Sequence, residues 1–180
     1  MTSPPALKLR IDSPIGELST GRGFYQLEED TLYVQVAPFS RRHRFFSYLE
    51  SEYVRLDLDM HGRLLFIEVS RPRRHWPVRD GLALPADPSP ADVRWLDFRR
   101  RMADPKLMAN PQRTALLLRF ARLPRAVRSY LLAESVVADV AQDNSLVGIW
   151  VGDIVDDIAG QFISSFRKQV RRQHREQHAT

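Results

Sequence analysis

Residues 47–69, SYLESEYVRLDLDMHGRLLFIEV, decide the fold because they recur as residues 129–151, SYLLAESVVADVAQDNSLVGIWV. At this offset of 82 positions, nine of the 23 aligned pairs are identical. Upstream, residues 32–37 align with residues 116–121 once two residues are removed from the intervening loop. Recurrence at a fixed spacing is typical of a structural unit that has been repeated in tandem. We therefore predict two copies of one small unit.

The repeated stretch has the periodicity of strands. Between residues 53 and 59 the apolar side chains Val54, Leu56 and Leu58 alternate with polar or aromatic ones, which is typical of a strand with one buried face. Gly62 interrupts the pattern and can supply the positive φ that a tight turn requires, and residues 63–69 then resume it. The prediction is a β-hairpin over residues 53–69. Its second copy has Asn144 in the turn, and asparagine tolerates the left-handed conformation better than most residues.

Further strands are predicted at residues 7–11, 32–36, 93–99 and 114–120. After the second copy, apolar residues recur at helical spacing from Val155 to Val170, with acidic residues at the start and arginines at the end. This pattern predicts a C-terminal helix, although Gly160 weakens it. We expect the helix to pack across the sheets.

The stretch between the two copies is rich in proline, with five of the twelve prolines between residues 71 and 91. Proline fixes φ and removes a backbone donor, which favours a linker. The predicted fold class is mainly β, or α+β, with two tandem antiparallel units related by a pseudo-twofold axis. The predicted parts are a first repeat at 6–70, a linker at 71–91, a second repeat at 92–152, and a helix with a basic tail at 153–176.

Residues 30–36, DTLYVQV, followed by the hairpin DLDMHGRLLFIEV at 57–69, resemble a family of small bacterial β-rich domains known only as a domain of unknown function. The second copy keeps the glycine–isoleucine step of that pattern in residues 146–149, LVGI, where the first copy has Phe66 and Ile67. The resemblance covers both copies and implies a fold. It brings no activity, cofactor or catalytic residue with it.

Most of the net charge of +5 comes from the last 14 residues, which contain five basic residues and one glutamate. Of the 27 basic residues, all but three are arginine, a bias that a GC-rich genome explains more simply than selection for phosphate binding. The chain has no cysteine and no apolar run long enough to cross a membrane, and its first residues lack the features of a signal peptide. We expect a cytoplasmic protein.

The acidic residues Asp57, Asp59 and Glu68 follow the spacing of an EF-hand calcium loop, with His61 at the fifth position. They are the candidate metal ligands. Because an EF-hand loop is flanked by helices and this stretch is flanked by strands, the simpler interpretation is that the carboxylates are solvated turn residues.

Two arginine-rich stretches are candidates for a nucleic-acid surface. Residues 40–44 read SRRHR and residues 71–76 read RPRRHW, the second with an aromatic ring that could stack on a base. The candidate residues are Arg41, Arg42, Arg44, Arg73, Arg74 and Trp76. The alternative is that these arginines are solvated and paired with nearby acids.

The sequence contains no phosphate-binding loop, no nucleophile elbow and no metal-binding histidine pair. We therefore predict no cofactor and no catalytic residue, and we expect that the protein is not an enzyme. The leading hypothesis is a non-enzymatic binding or interaction module for a protein or small-molecule partner. The alternatives are a nucleic-acid-binding protein that uses the loop arginines and the basic tail, and a metal-dependent or carboxylate-based hydrolase.

Overall fold

A computed structural model of the chain describes residues 5–38 and 44–178. These residues form a mainly β structure with one long helix at the C-terminus, which confirms the predicted fold class. In chain order the strands are β1 (Leu9–Asp12), β2 (Arg22–Gln26), β3 (Thr31–Gln35), β4 (Ser47–Glu50), β5 (Val54–Leu58), β6 (Leu64–Val69), β7 (Ser89–Pro90), β8 (Asp92–Trp95), β9 (Arg100–Arg101), β10 (Lys106–Ala109), β11 (Leu116–Arg119), β12 (Val127–Ala133), β13 (Val136–Ala141), β14 (Leu146–Val151) and β15 (Val155–Asp156). The helix is α1 (Gln161–His178), and single 3-10 turns lie at Arg73–His75 and Ile158–Gly160.

The strands form two large sheets and one small one. The seven-stranded sheet has the order β15-β2-β3-β6-β5-β4-β9, the six-stranded sheet has the order β10-β11-β14-β13-β12-β7, and β1 pairs with β8. Five antiparallel strands of each large sheet therefore follow the same order. The register also shifts at corresponding places, after Asp57 in β5 and after Asp139 in β13, which are 82 positions apart. A tandem repeat would produce this common order, and both the repeat and its pseudo-twofold axis stay predictions.

Both predicted hairpin turns use the left-handed conformation. Gly62 has φ +81° and Asn144 has φ 62°. In the first turn, one carboxylate oxygen of Asp59 accepts hydrogen bonds from the backbone N–H groups of His61 at 2.8 Å and Arg63 at 2.9 Å. The turn also supports β8, because the Trp95 N–H donates to the Gly62 carbonyl oxygen at 2.7 Å.

The two large sheets share one hydrophobic core. Leu56 and Ile67 of the seven-stranded sheet, Leu116 and Ile149 of the six-stranded sheet, and Trp95 of β8 are all fully or almost fully buried in the same cluster. The proline-rich stretch between the copies is also packed against the structure, since it contributes a 3-10 turn and the short strand β7, which pairs in parallel with β12. The predicted linker at 71–91 therefore has ordered contacts of its own, and its role as the boundary between two copies stays a prediction.

The helix begins later than predicted. Val155 belongs to β15, which pairs with β2, and Ala159 and Gly160 have φ values of 56° and 66° that interrupt helical geometry. The side chain of Asp157 then caps α1, accepting hydrogen bonds from the N–H groups of Phe162 at 2.8 Å and Ile163 at 3.1 Å. Helical spacing alone cannot detect these two positive φ values.

The helix covers the outer face of the seven-stranded sheet instead of packing across both sheets as expected. Phe162, Ile163 and Phe166 pack there against aromatic side chains of β2, β3 and β6. The ring of Phe166 stacks on Phe66 with centroids 4.2 Å apart. Within the described part of the chain, no helix has both the length and the apolar character that a membrane crossing requires.

Candidate functional site

A groove of about 1080 Å³ opens between the two large sheets. Its lining comes from the loop at 14–19, the segment at 36–38 that follows β3, the first hairpin turn at 60–64, the segment at 90–93 and Leu132 of β12. Since Leu132 belongs to the six-stranded sheet and the hairpin turn to the seven-stranded sheet, the groove lies where the two predicted repeats meet.

Large apolar side chains are exposed on two sides of this groove. Ile15 and Leu18 of the loop are 69% and 37% exposed, and Met60 of the hairpin turn is 66% exposed. An isolated exposed apolar residue needs no explanation, but several around one concavity are typical of a binding site. The walls of the groove are therefore suited to an apolar group.

The groove also contains a fixed charged group. The buried carboxylate of Asp92 accepts hydrogen bonds from Arg63 Nε at 2.8 Å and Nη2 at 3.3 Å, and from Arg94 Nε at 3.0 Å. Burial alone would raise the pKa of Asp92, but the hydrogen bonds from Arg63 and Arg94 lower it below its usual value. Asp92 is therefore ionised, and it fixes the orientation of the Arg63 guanidinium.

The loop that forms one side of the groove is attached to the six-stranded sheet. The Glu134 N–H donates to the Ser19 carbonyl oxygen at 2.8 Å, and the Ser135 hydroxyl donates to the Gly21 carbonyl oxygen at 3.1 Å. Gly21 has φ +64°, and an added Cβ would lie 2.7 Å from the Ala133 Cβ. This close attachment means that the groove is formed before any ligand arrives.

The three candidate metal ligands do not form one cluster in the structure. Asp57 lies on β5, where its Oδ1 is 2.9 Å from Arg55 Nε, and Glu68 lies on the neighbouring strand β6. Asp59 is buried in the hairpin turn and is used by backbone donors. Within residues 5–38 and 44–178, no group of three or more acidic, histidine or cysteine side chains could hold a metal ion. The calcium-loop spacing of the sequence thus does not bring all three carboxylates together.

Asp57 and Glu68 still form a notable pair. Burial raises the pKa of Asp57, and Arg55 opposes this change. Burial and the negative charge of Asp57 both raise the pKa of Glu68, again against the effect of Arg55. The ionised form of Glu68 is thus less favourable in the folded protein than in the unfolded chain.

We predict that Glu68→Gln increases the free energy of unfolding at neutral pH. Because the folded pKa lies above the unfolded value, the ionised glutamate destabilises the fold at neutral pH, and this effect disappears below about pH 4, where the unfolded group is also protonated. Urea denaturation across this pH range measures the difference, with Glu28→Gln at an exposed position as the control. A loss of stability in Glu68→Gln at neutral pH would contradict the prediction.

The structure weakens the second arginine-rich candidate. Arg73 Nη1 lies 2.6 Å from Asp156 Oδ1, and Arg74 Nη1 lies 2.8 Å from Asp30 Oδ2. Trp76 is only 1% exposed, and its indole N–H donates to the Arg71 carbonyl oxygen at 2.9 Å. The prediction that Trp76 could stack on a base was wrong, because the ring is buried against Tyr25.

The first arginine-rich candidate is described only in part. Arg41 and Arg42 lie outside the described residues, and Arg44 is half-buried. In the tail, Arg167 forms an ion pair with Glu29, whereas Lys168, Arg171 and Arg172 are exposed.

Sequence reasoning missed the residues that form the groove. Ile15 and Met60 are apolar residues in a loop and a turn, outside any periodic pattern, and the hydrogen bond between Arg63 and Asp92 joins residues 29 positions apart. The one sequence feature that could have indicated the groove is Ile15, an apolar residue between Pro14 and Gly16, because turn segments usually carry polar side chains.

Comparison with known proteins adds no further assignment. No protein-family model matches the chain, and no curated protein matches it at a significant level.

Proposed function

We propose that this protein is a non-enzymatic binding module whose ligand lies in the groove between the two large sheets. The observation that carries the proposal is the combination of exposed apolar side chains, Ile15, Leu18 and Met60, around the fixed Arg63–Asp92 ion pair. Apolar walls give affinity, and a few fixed polar groups orient the ligand. The module would act in the cytoplasm on a small molecule or a protein segment.

One guanidinium nitrogen of Arg63 can contact the negatively charged end of a ligand that is otherwise apolar, and the exposed Glu17 lies elsewhere in the same lining. Arg63 uses Nε and Nη2 for Asp92, whereas its Nη1 is 3.9 Å from Asp59, too far for a hydrogen bond. A carboxylate or sulfonate on the ligand could accept a hydrogen bond from this nitrogen. The exposed ring of His61 lies at the same side of the groove.

The same geometry favours binding over hydrolysis. A carboxyl group that serves as a general acid needs a raised pKa, and the pKa of Asp92 is lowered instead. Asp57 and Glu68, the carboxylates with raised pKa values, are not among the described residues that line the groove.

Five strands follow the same order in each of the two large sheets. This supports the further proposal that the chain arose as a tandem repeat with a pseudo-twofold axis. The groove would then lie at the interface of the copies. Its lining would combine the loop at 14–19 of the first copy with Asp92, Val93 and Leu132 of the second.

Titration with anilinonaphthalene sulfonate, a dye with an apolar ring system and one anionic group, tests the proposal. We expect saturable fluorescence, with affinity at least about tenfold lower in Ile15→Glu and Met60→Glu, because each change replaces an apolar contact with the ring system by a charged group. Leu123→Glu is the matched control, since Leu123 is an exposed leucine outside the groove. Equal affinities in all three variants, or no saturable binding, would contradict the proposal.

A further inference from the structure

Two exposed phenylalanines meet at the edge of the seven-stranded sheet, on the side of β4 and β9. Phe46 is 54% exposed and Phe98 is 39% exposed, and their ring centroids lie 6.2 Å apart in an edge-to-face arrangement. The backbone at Phe46 and next to Phe98 is hydrogen-bonded to the sheet. The Phe46 N–H donates to the Leu58 carbonyl oxygen at 2.9 Å, and the Arg99 N–H donates to the Ser47 hydroxyl oxygen at 2.9 Å. The rings are thus held at the surface by the sheet.

Guanidinium groups accompany the rings along this edge. The Arg99 guanidinium lies 5.7 Å from the centroid of the Phe46 ring, and the Arg55 guanidinium lies 4.4 Å from the centroid of the half-buried Tyr48 ring. Phe46 and Tyr48 are two residues apart in extended backbone, so both side chains point to one face about 7 Å apart. The edge thus presents aromatic rings with guanidinium groups beside them.

The charge of this edge is positive. Arg44 and residues 96–101, LDFRRR, contribute four arginines and one acid, Asp97, which is already paired with Arg100 at 2.6 Å. The acids of the adjoining strands, Glu50 and Asp57, form ion pairs with Arg55. Within the part of the chain that the structure describes, Arg44, Arg99 and Arg101 form no ion pair, and Arg99 and Arg101 are exposed. Their charge is available to an anionic partner.

We propose that this aromatic–arginine surface, formed by Phe46, Tyr48, Phe98, Arg99 and Arg101, binds single-stranded nucleic acid. Unstacked bases can lie against the exposed rings of Phe46 and Phe98, and the arginines can contact phosphates. A duplex keeps its base faces stacked inside the helix and would lose the aromatic contacts. An acidic peptide would use the arginines but gain little from the rings. The site is separate from the groove.

Fluorescence anisotropy of the full-length protein with a labelled oligothymidylate of about 12 nucleotides tests the proposal. We expect binding that weakens steeply with salt and that falls by at least about tenfold when Phe46 and Phe98 are both changed to alanine. Phe46→Trp alone should retain the affinity because it keeps a stacking face. Arg99→Ala should reduce both the affinity and the salt dependence, by about one released counterion.

Two control variants distinguish binding at this surface from non-specific attraction by net charge and from binding in the groove. Lys106→Ala removes an exposed cation of the other large sheet and should change the affinity by less than about twofold. Met60→Glu lowers the net charge by the same amount in the groove and should have an equally small effect. Thermal unfolding confirms that the variants are folded. The proposal is overturned by an absence of binding at low salt, by equal affinity for a duplex of the same length, by polyglutamate competing as well as oligothymidylate, or by full affinity in the double phenylalanine variant.

Discussion

Gly62→Ala is expected to lower the free energy of unfolding by about 3 kcal/mol, well above the cost of a typical surface substitution. Gly62 has φ +81°, which a residue with a Cβ adopts at a cost. The added Cβ would also lie 2.2 Å from the Trp95 carbonyl oxygen, a backbone atom that cannot move without disturbing β8. Urea denaturation measures the change.

Gly16→Ala is the control for this prediction. Gly16 also has a positive φ, +70°, but an added Cβ would meet no atom within 4 Å. It should therefore lose only about 1 kcal/mol, the cost of the backbone conformation. If the two variants lost equal amounts, the close contact between the turn and β8 would not contribute to stability.

Trp76→Ala is expected to destabilise the protein by about 3 to 5 kcal/mol, the usual range for removal of a buried aromatic side chain. The ring is fully enclosed, meets Tyr25 edge-on with centroids 5.8 Å apart, and donates a hydrogen bond to the backbone of the proline-rich stretch. Thermal unfolding followed by near-ultraviolet circular dichroism would detect the loss.

The result distinguishes two roles for this tryptophan. A base-stacking Trp76 would be exposed, so its removal would leave stability unchanged and weaken nucleic-acid binding. Leu123→Ala, at an exposed site, should stay within about 0.5 kcal/mol of the natural protein. Equal stability of Trp76→Ala and Leu123→Ala would contradict the packing described above.

The sequence predicts the hairpins well because local signals specify them. The alternation at Val54, Leu56 and Leu58 and the turn residues Gly62 and Asn144 each determine backbone conformation over a few residues. The start of the helix was predicted wrongly because Val155 and Ile158 have helical spacing, whereas the positive φ values at Ala159 and Gly160 place them outside α1.

The candidate sites were harder to predict because they depend on tertiary contacts. Trp76 follows a run of arginines and histidine, which suggests exposure, but Tyr25 and Arg71 enclose it. The aromatic–arginine surface joins Phe46 and Phe98, which are 52 positions apart and share no local pattern. None of its five residues is among the candidates predicted from the sequence, of which the nearest along the chain is Arg44, two positions before Phe46.

Nuclear magnetic resonance of the isotope-labelled protein during dye titration tests the groove most directly. The proposed function predicts that backbone amide shifts change first in the loop at 14–19, in the hairpin turn at 60–64 and around Asp92 and Val93, all of which line the groove. Shift changes confined to the outer faces of the sheets or to α1, with these segments unaffected, would show that the groove is not the binding site.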